Sequence, residues 1–200
     1  MPPRPRPQPR SRPDRPIRLD PLPEYPEIIL GLNLSPTVRP PVFHWILFVP
    51  DHGATRRQLT AGEKMHALCR FQPGPDGTMI ENWDYESTKF TLGQSHTLAA
   101  AAVLGQLPPG RTIKGLSRLL GAIPMSVPAV DARREPVFTC RVWAREAVRQ
   151  MHEHGYIDCT DVDSLEEEMW RYGREAASKQ DNRTFTTASL VRVVHSSAVR

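Results

Sequence analysis

Thirteen of the 21 prolines lie at or before Pro41, so the chain divides before any other feature is weighed. Each proline removes a backbone donor and is excluded from helix interiors. Alternation with arginine over Met1–Arg10 predicts an extended, polyproline-like backbone there. A segment of this kind buries too little apolar surface to offset the entropy of ordering it. Residues 1–41 are therefore expected to form a disordered Pro/Arg-rich tail, with the apolar stretch Ile28–Leu34 able to dock on the folded domain. The rest of the 200 residues is long enough for one domain with a core. The expected units are the tail, a folded domain over residues 42–177, and a loose C-terminal tail over residues 178–200.

Charge divides the same way. The formal net charge is +4, and the first 41 residues hold seven arginines against Asp14, Asp20, Glu24 and Glu27, a balance of +3. That leaves +1 for the remainder, so a nucleic-acid-binding domain is not expected. The tail lacks interleaved aromatics or Arg-Gly repeats, so nucleic-acid binding is not expected of it either; the leading expectation is a solvated tail, with a protein partner as the lesser alternative. Three cysteines (Cys69, Cys140 and Cys159) without regular spacing argue against a disulfide framework. No apolar run reaches the roughly 18 residues of a membrane span, and the N-terminus lacks the apolar core of a secretory signal. A reducing cytosol, or nucleus, is the expected compartment.

Within the domain, Val42–Val49 is a short apolar run rich in β-branched and aromatic residues, closed by Pro50-Asp51, and predicts a buried strand. Lys64–Phe71 and Met79–Phe90 predict two more, joined by a hairpin at Asp76-Gly77. Leu98–Leu107 is compatible with strand or helix, and strand is preferred. Ile113, Leu116, Leu119 and Leu120 have helical spacing over Thr112–Ala122. Thr139–Glu153 predicts a second helix, with Val142, Trp143, Ala147, Val148 and Met151 on its apolar face and Gly155 as its stop. Asp163–Ala176 predicts a third, with Ser164 and Glu167 as a capping box. Ser189–His195 has weak strand character. Strands followed by helices give an α+β fold, a small antiparallel sheet packed against helices.

The chemistry centres on Cys140. Thr139 is the natural N-cap, which places Cys140 in the first turn, where unpaired N–H groups and the helix dipole favour an anion. A thiolate at such a place has a lowered pKa and is the better nucleophile. Arg141 adds positive potential. The plain alternative is a small buried side chain. A nucleophilic thiol needs an imidazole as base and a further polar group to orient it. His44, Ile46 and Phe48 share one face of the first strand; His66, Leu68 and Arg70 share one face of the second. Antiparallel pairing of these strands sets the two imidazoles side by side.

The order of a His-Trp strand (HWILFV), a strand with histidine (MHAL) and a cysteine opening a later helix (FTCRVWAREAV) resembles the circularly permuted papain-like superfamily. That group includes the lecithin-retinol acyltransferase-like enzymes and relatives of the NlpC peptidases. The pattern is also similar to that of a fungal family whose helix often opens Asn-Cys-Gln-x-Trp-Val. The resemblance spans roughly residues 43–157. It implies a permuted papain-like fold, His44 as base, His66 as the orienting group and Cys140 as nucleophile. It further implies a cysteine hydrolase or acyltransferase acting on an ester, thioester or amide of an acyl or peptide-like substrate, without a cofactor. Thr139 stands where the group has Asn, and Arg141 and Val142 where it has Glu and His. Trp45 and Trp83 are the aromatic side chains expected to line the substrate cleft. The competing expectation is a catalytically inactive interaction protein that keeps the fold.

Other signals carry less. His152, Glu153, His154 and Cys159 contain metal-ligand residue types, but positions i and i+2 on a helix diverge by roughly 200°, so no metal site is expected. The run Trp83-Asp84-Tyr85-Glu86 alternates aromatic and acid, as a sheet with one packed face requires. Cys69 is out of phase with His66 and is expected in the core. No nucleophile elbow or phosphate-cradling glycine loop is present.

Overall fold

The structure, a computed structural model, describes residues 18–35, 40–53, 60–181, 190–195 and 198. The elements run β1 (Arg18–Asp20), β2 (Glu27–Leu34), β3 (Phe43–Pro50), β4 (Ala61–Pro73), β5 (Met79–Thr91), β6 (Leu98–Gln106), α1 (Ile113–Gly121), α2 (Cys140–Glu153), α3 (Val162–Asp181) and β7 (Leu190–His195). The strands make one sheet in the order β1-β7-β6-β2-β3-β4-β5. The five from β6 to β5 are mutually antiparallel, and β7 runs parallel to both β6 and β1. The fold is thus α+β, as the strand and helix patterns predict.

Both tail boundaries need correction. β2 lies between β6 and β3, well inside the sheet, with Ile28, Ile29, Leu30 and Leu32 at most 1% exposed. The folded unit therefore begins before residue 42. A strand buried on both faces reads as a continuous apolar run without alternation, and the surrounding prolines conceal it. At the other end α3 continues to Asp181, and Leu190–His195 pairs as β7, so order extends well past residue 177. The Pro/Arg run of residues 1–17 lies outside the described residues.

Alternation along β3 divides the interior in two. Phe43, Trp45, Leu47 and Val49 join the larger cluster with Trp143, Ala147, Leu165 and Met169 of the helices. Ile46 and Phe48 join a smaller one on the opposite face with Ile29, Leu92 and Leu98. Every residue expected on the apolar face of α2 is buried. Thr112 and Thr139 cap α1 and α2, their hydroxyls accepting from the N–H groups of Gly115 and Val142. For α3 the cap is Asp161, whose carboxylate accepts from the Ser164 N–H at 2.9 Å, and not Ser164. Two overlapping cap signatures occur there, and the one nearer the start of the apolar pattern is used.

One irregularity positions the site. β3 and β4 pair only from Pro50↔Gly62 to Leu47↔Met65, although β4 runs on to Pro73 beside β5. At the closed end the backbones approach so closely that a Cβ on Gly62 would overlap the Val49 carbonyl oxygen. At the other end the ladder opens, and β4 with β5 continues as a two-stranded arm. Asp51 N–H donates to Ala61 O on the β4 side, while Val42 O accepts from Ser35 N–H on the β2 side. Odd residues of β3 therefore aim their backbone groups at β4. Those of Phe43 and Trp45 face the opening.

Candidate active site

Cys140 fills that opening. Its Sγ donates to the Phe43 carbonyl oxygen at 3.9 Å, and the Trp45 backbone N–H also acts on the sulfur. A helix N-terminus thus substitutes for missing strand–strand contacts. The thiol does not ionise easily there. Burial pushes its pKa up, and the N–H groups of Trp45 and of the helix start, with Arg141, only partly offset this. The lowered thiol pKa expected from helix position is corrected by desolvation, which penalises the charged form. Arg141 is also less available than expected, since its guanidinium is spent on Glu135 and Glu166.

The two histidines meet as antiparallel pairing predicts. His44 Nε2 lies 2.6 Å from His66 Nδ1, and the rings cross at 78° with centroids 4.9 Å apart. His66 Nε2 lies 3.1 Å from Glu86 Oε1, and Arg70 Nη2 donates to Glu86 Oε2 at 3.3 Å. This chain sets the tautomers. A carboxylate only accepts, so His66 carries its proton on Nε2 and offers Nδ1 as an acceptor. His44 must then carry its proton on Nε2. Its Nδ1 is left as a bare lone pair without a hydrogen-bond partner among the described residues, and it is not one of the sealed, unpartnered atoms.

Burial, then the neighbouring His66 and Lys64, lower the His44 pKa from 6.5 to about 4. Burial and Lys64 lower that of His66 against the pull of Glu86. Hydrogen bonding from His66 is the main cause of a lowered Glu86. At neutral pH both rings are uncharged. Among the described residues no hydrogen bond joins Cys140 to His44; the sulfur rests on the backbone that flanks His44, on the residues before and after it.

The two tryptophans expected to line the cleft separate. Trp45 is 2% exposed and sits edge-on to Trp170 within the helix-side core, so its role as a cleft wall is corrected. The alternation that turns His44 to one face turns Trp45 to the other. Trp83 is half-buried and stands edge-on to Phe138 at 5.4 Å, two residues before Cys140. Cys69 is half-buried on the arm, not in the core. His152 Nδ1 lies 3.6 Å from Asp158, whereas His154 Nδ1 is 2.9 Å from the Gln150 carbonyl. Among the described residues no group of three or more His, Cys, Asp or Glu is arranged to hold a metal ion.

Two contributors escape the sequence reading. Glu86 sits directly across from His66 in the β4–β5 register; the alternation of residues 83–86 places it on the polar face, but only pairing shows what it meets. The start of α2 is also fixed by ions. Asp131, Glu135 and Glu166, all buried, bind Arg141, Arg145, Arg149 and Arg134.

The depressed His44 pKa has a consequence for stability. As pH falls, the unfolded chain takes up this proton first, near 6.5, and the fold resists until about 4. The contribution is intact above pH 6.5 and lost on the way to pH 4, reaching about 3 kcal/mol. Thermal unfolding of the wild type and His44→Leu from pH 7 to pH 4 checks this: the wild type loses more stability over that interval, and parallel curves would refute it.

No family model, curated protein or solved structure matches the chain.

Proposed function

We propose that this chain is a thiol-dependent hydrolase or acyltransferase of permuted papain-like architecture, acting on an ester, thioester or amide. The observation that carries this reading is the His44–His66–Glu86 chain, which leaves His44 Nδ1 as a bare base beside the backbone that cradles Cys140. The reaction requires a side-chain rotation that carries Sγ from the Phe43 carbonyl toward Nδ1. The sulfur then attacks the substrate carbonyl carbon as its proton passes to Nδ1, and the carbonyl π pair moves to oxygen. The Cys140 N–H at the start of α2 is the oxyanion donor. Collapse expels the leaving group, which takes the Nδ1 proton, and a thioester on Cys140 remains. Water, an amine or a hydroxyl resolves it, so hydrolase and transferase share this first half. Trp83 and Phe138 form an apolar wall next to the nucleophile.

The partly buried thiol, its raised pKa and the Sγ bond to Phe43 favour the second reading, an inactive interaction protein. Acylation by p-nitrophenyl acetate, mapped to Cys140 by peptide mass spectrometry, separates the two. The enzyme reading expects acylation to hold level from about pH 5 to 8 and to fall as His44 protonates near pH 4. His44→Ala is expected to slow it by about 10²-fold at pH 7. A rate indifferent to His44 that rises only toward ordinary thiol ionisation would leave the interaction protein.

A further inference from the structure

The polar chain on this face of the sheet has an unused member at its other end. Asn33 on β2 is directly opposite His44 on β3. The two residues point their backbone groups at one another, a conclusion that rests on the Val42–Ser35 hydrogen bond two positions along. Their side chains project from the same face as close cross-strand neighbours. Asn33 Oδ1 is buried and has no hydrogen-bond partner among the described residues, in a strand whose pairing with β6 is irregular between Leu32 and Asn33. A sealed carbonyl oxygen without a donor is a cost to the folded state. The imidazole directly across the strand is a group able to change from acceptor to donor.

We propose that Asn33 is a positioning residue, whose Oδ1 accepts the Nδ1–H of His44 once that ring is protonated. The neutral ring offers only a lone pair at Nδ1, which Oδ1 cannot bond; an Asn33 contact with that ring form would have to come from its Nδ2 instead. The imidazolium offers N–H on both nitrogens, one to His66 and one to Asn33. The proposal rests on the reading of His44 as the base for Cys140 and identifies what holds the proton between its removal from sulfur and its delivery to the leaving group. Among the described residues the charged and titratable groups around His44 are Lys64 and His66 on β4, Glu86 on β5 reached through His66, Arg70 paired with Glu86, and the Cys140 thiol resting on the backbone that flanks His44. Asn33 is the polar side chain that β2 places across from it.

The test is an NMR titration of the His44 ring in the full chain, in wild type, Asn33→Leu and Asn33→Asp. Removing the acceptor is expected to lower the His44 titration midpoint by about one pH unit, and a carboxylate in its place to raise it by more. Asn33→Leu is also expected to melt above the wild type at pH 7, since the unpaired carbonyl is gone. Three superimposable titrations would overturn the proposal, as would an Asn33→Leu variant that is less stable with His44 unmoved. Should Asn33→Leu fail to fold, Asn33→Asp alone decides by the direction of its shift. The p-nitrophenyl acetate rate separates the two readings. If the His44 midpoint moves but acylation of Cys140 ignores both Asn33 variants and His44→Ala, the Asn33 contact stands and the thiol-enzyme reading falls.

Discussion

Glu166→Ala is expected to be the most destabilising single change at the site, costing about 3–5 kcal/mol and lowering the melting temperature by roughly 10 °C. Glu166 is 4% exposed. One carboxylate oxygen accepts from Arg141 at 2.6 Å and from the Trp170 indole at 3.2 Å. The other accepts from Arg134 at 2.9 Å and from Arg145. Burial alone would raise its pKa, but Arg141 and Arg145 outweigh burial and hold it below the usual glutamate value. Its contribution is therefore present above the ordinary carboxylate range and lost as pH falls through it. Removing the carboxylate leaves Arg145, 5% exposed, with Asp131 and Asp163 as its remaining partners. A buried guanidinium that loses one of its three carboxylate partners, together with the buried acceptor shared by Arg134 and Arg141, carries the cost. Glu166→Gln keeps the shape and an acceptor, and is expected to lose less. Chemical denaturation of both variants checks the ordering; a loss within about 1 kcal/mol for Glu166→Ala would show that the arginines find water instead. Arg141 comes directly after Cys140, so the same variant is expected to loosen the helix start that carries the thiol.

His66→Leu is expected to reduce acylation of Cys140 by about 10²-fold or more, with far less effect on stability. Tautomers are the reason. Glu86 accepts from His66 Nε2, His66 Nδ1 accepts from His44 Nε2, and so Nδ1 of His44 is free to take a proton. Leucine fills the space but accepts nothing. Nothing then holds the His44 proton on Nε2, so it can occupy Nδ1, the nitrogen that must act as base, and the ring loses its fixed direction. His66 is 3% exposed, and leucine suits that site, so the fold should survive. Acylation by p-nitrophenyl acetate and thermal unfolding on the same samples check both halves. Equal losses of rate and stability would point to general damage; an unchanged rate would remove His66 from the mechanism.

Local signals are legible where the deciding interaction is itself local. Thr139 caps α2 because its hydroxyl reaches the N–H of Val142, three residues on. The hairpin between β4 and β5 turns where Asp76 accepts from the Thr78 N–H and hydroxyl, two residues on. The alternation that puts His44 with Ile46 and Phe48 is a property of any extended strand. β2 escapes a composition-based boundary because proline density averages over a window, whereas one eight-residue run between prolines suffices for a central strand. The end of α3 and β7 are hidden for the converse reason. β7 is ordered by pairing with β6 and α3 packs against the same strand, far away in the chain.

For the site, the chain's own order of residues determined which side chains are available: a thiol in the first turn of a capped helix, and one histidine on each of two neighbouring strands. Only the tertiary structure decided their state. Whether a helix terminus lowers a thiol pKa depends on how far that terminus is sealed from water, and here burial wins. Whether a histidine is a base depends on which nitrogen is occupied, and that is settled by Glu86 on a third strand. Trp45 left the cleft, and Asn33 came beside His44, through register alone. The physical reason is range. Caps, turns and strand alternation act over a few bonds, whereas desolvation and hydrogen-bond partnership depend on whatever the fold brings within a few ångströms.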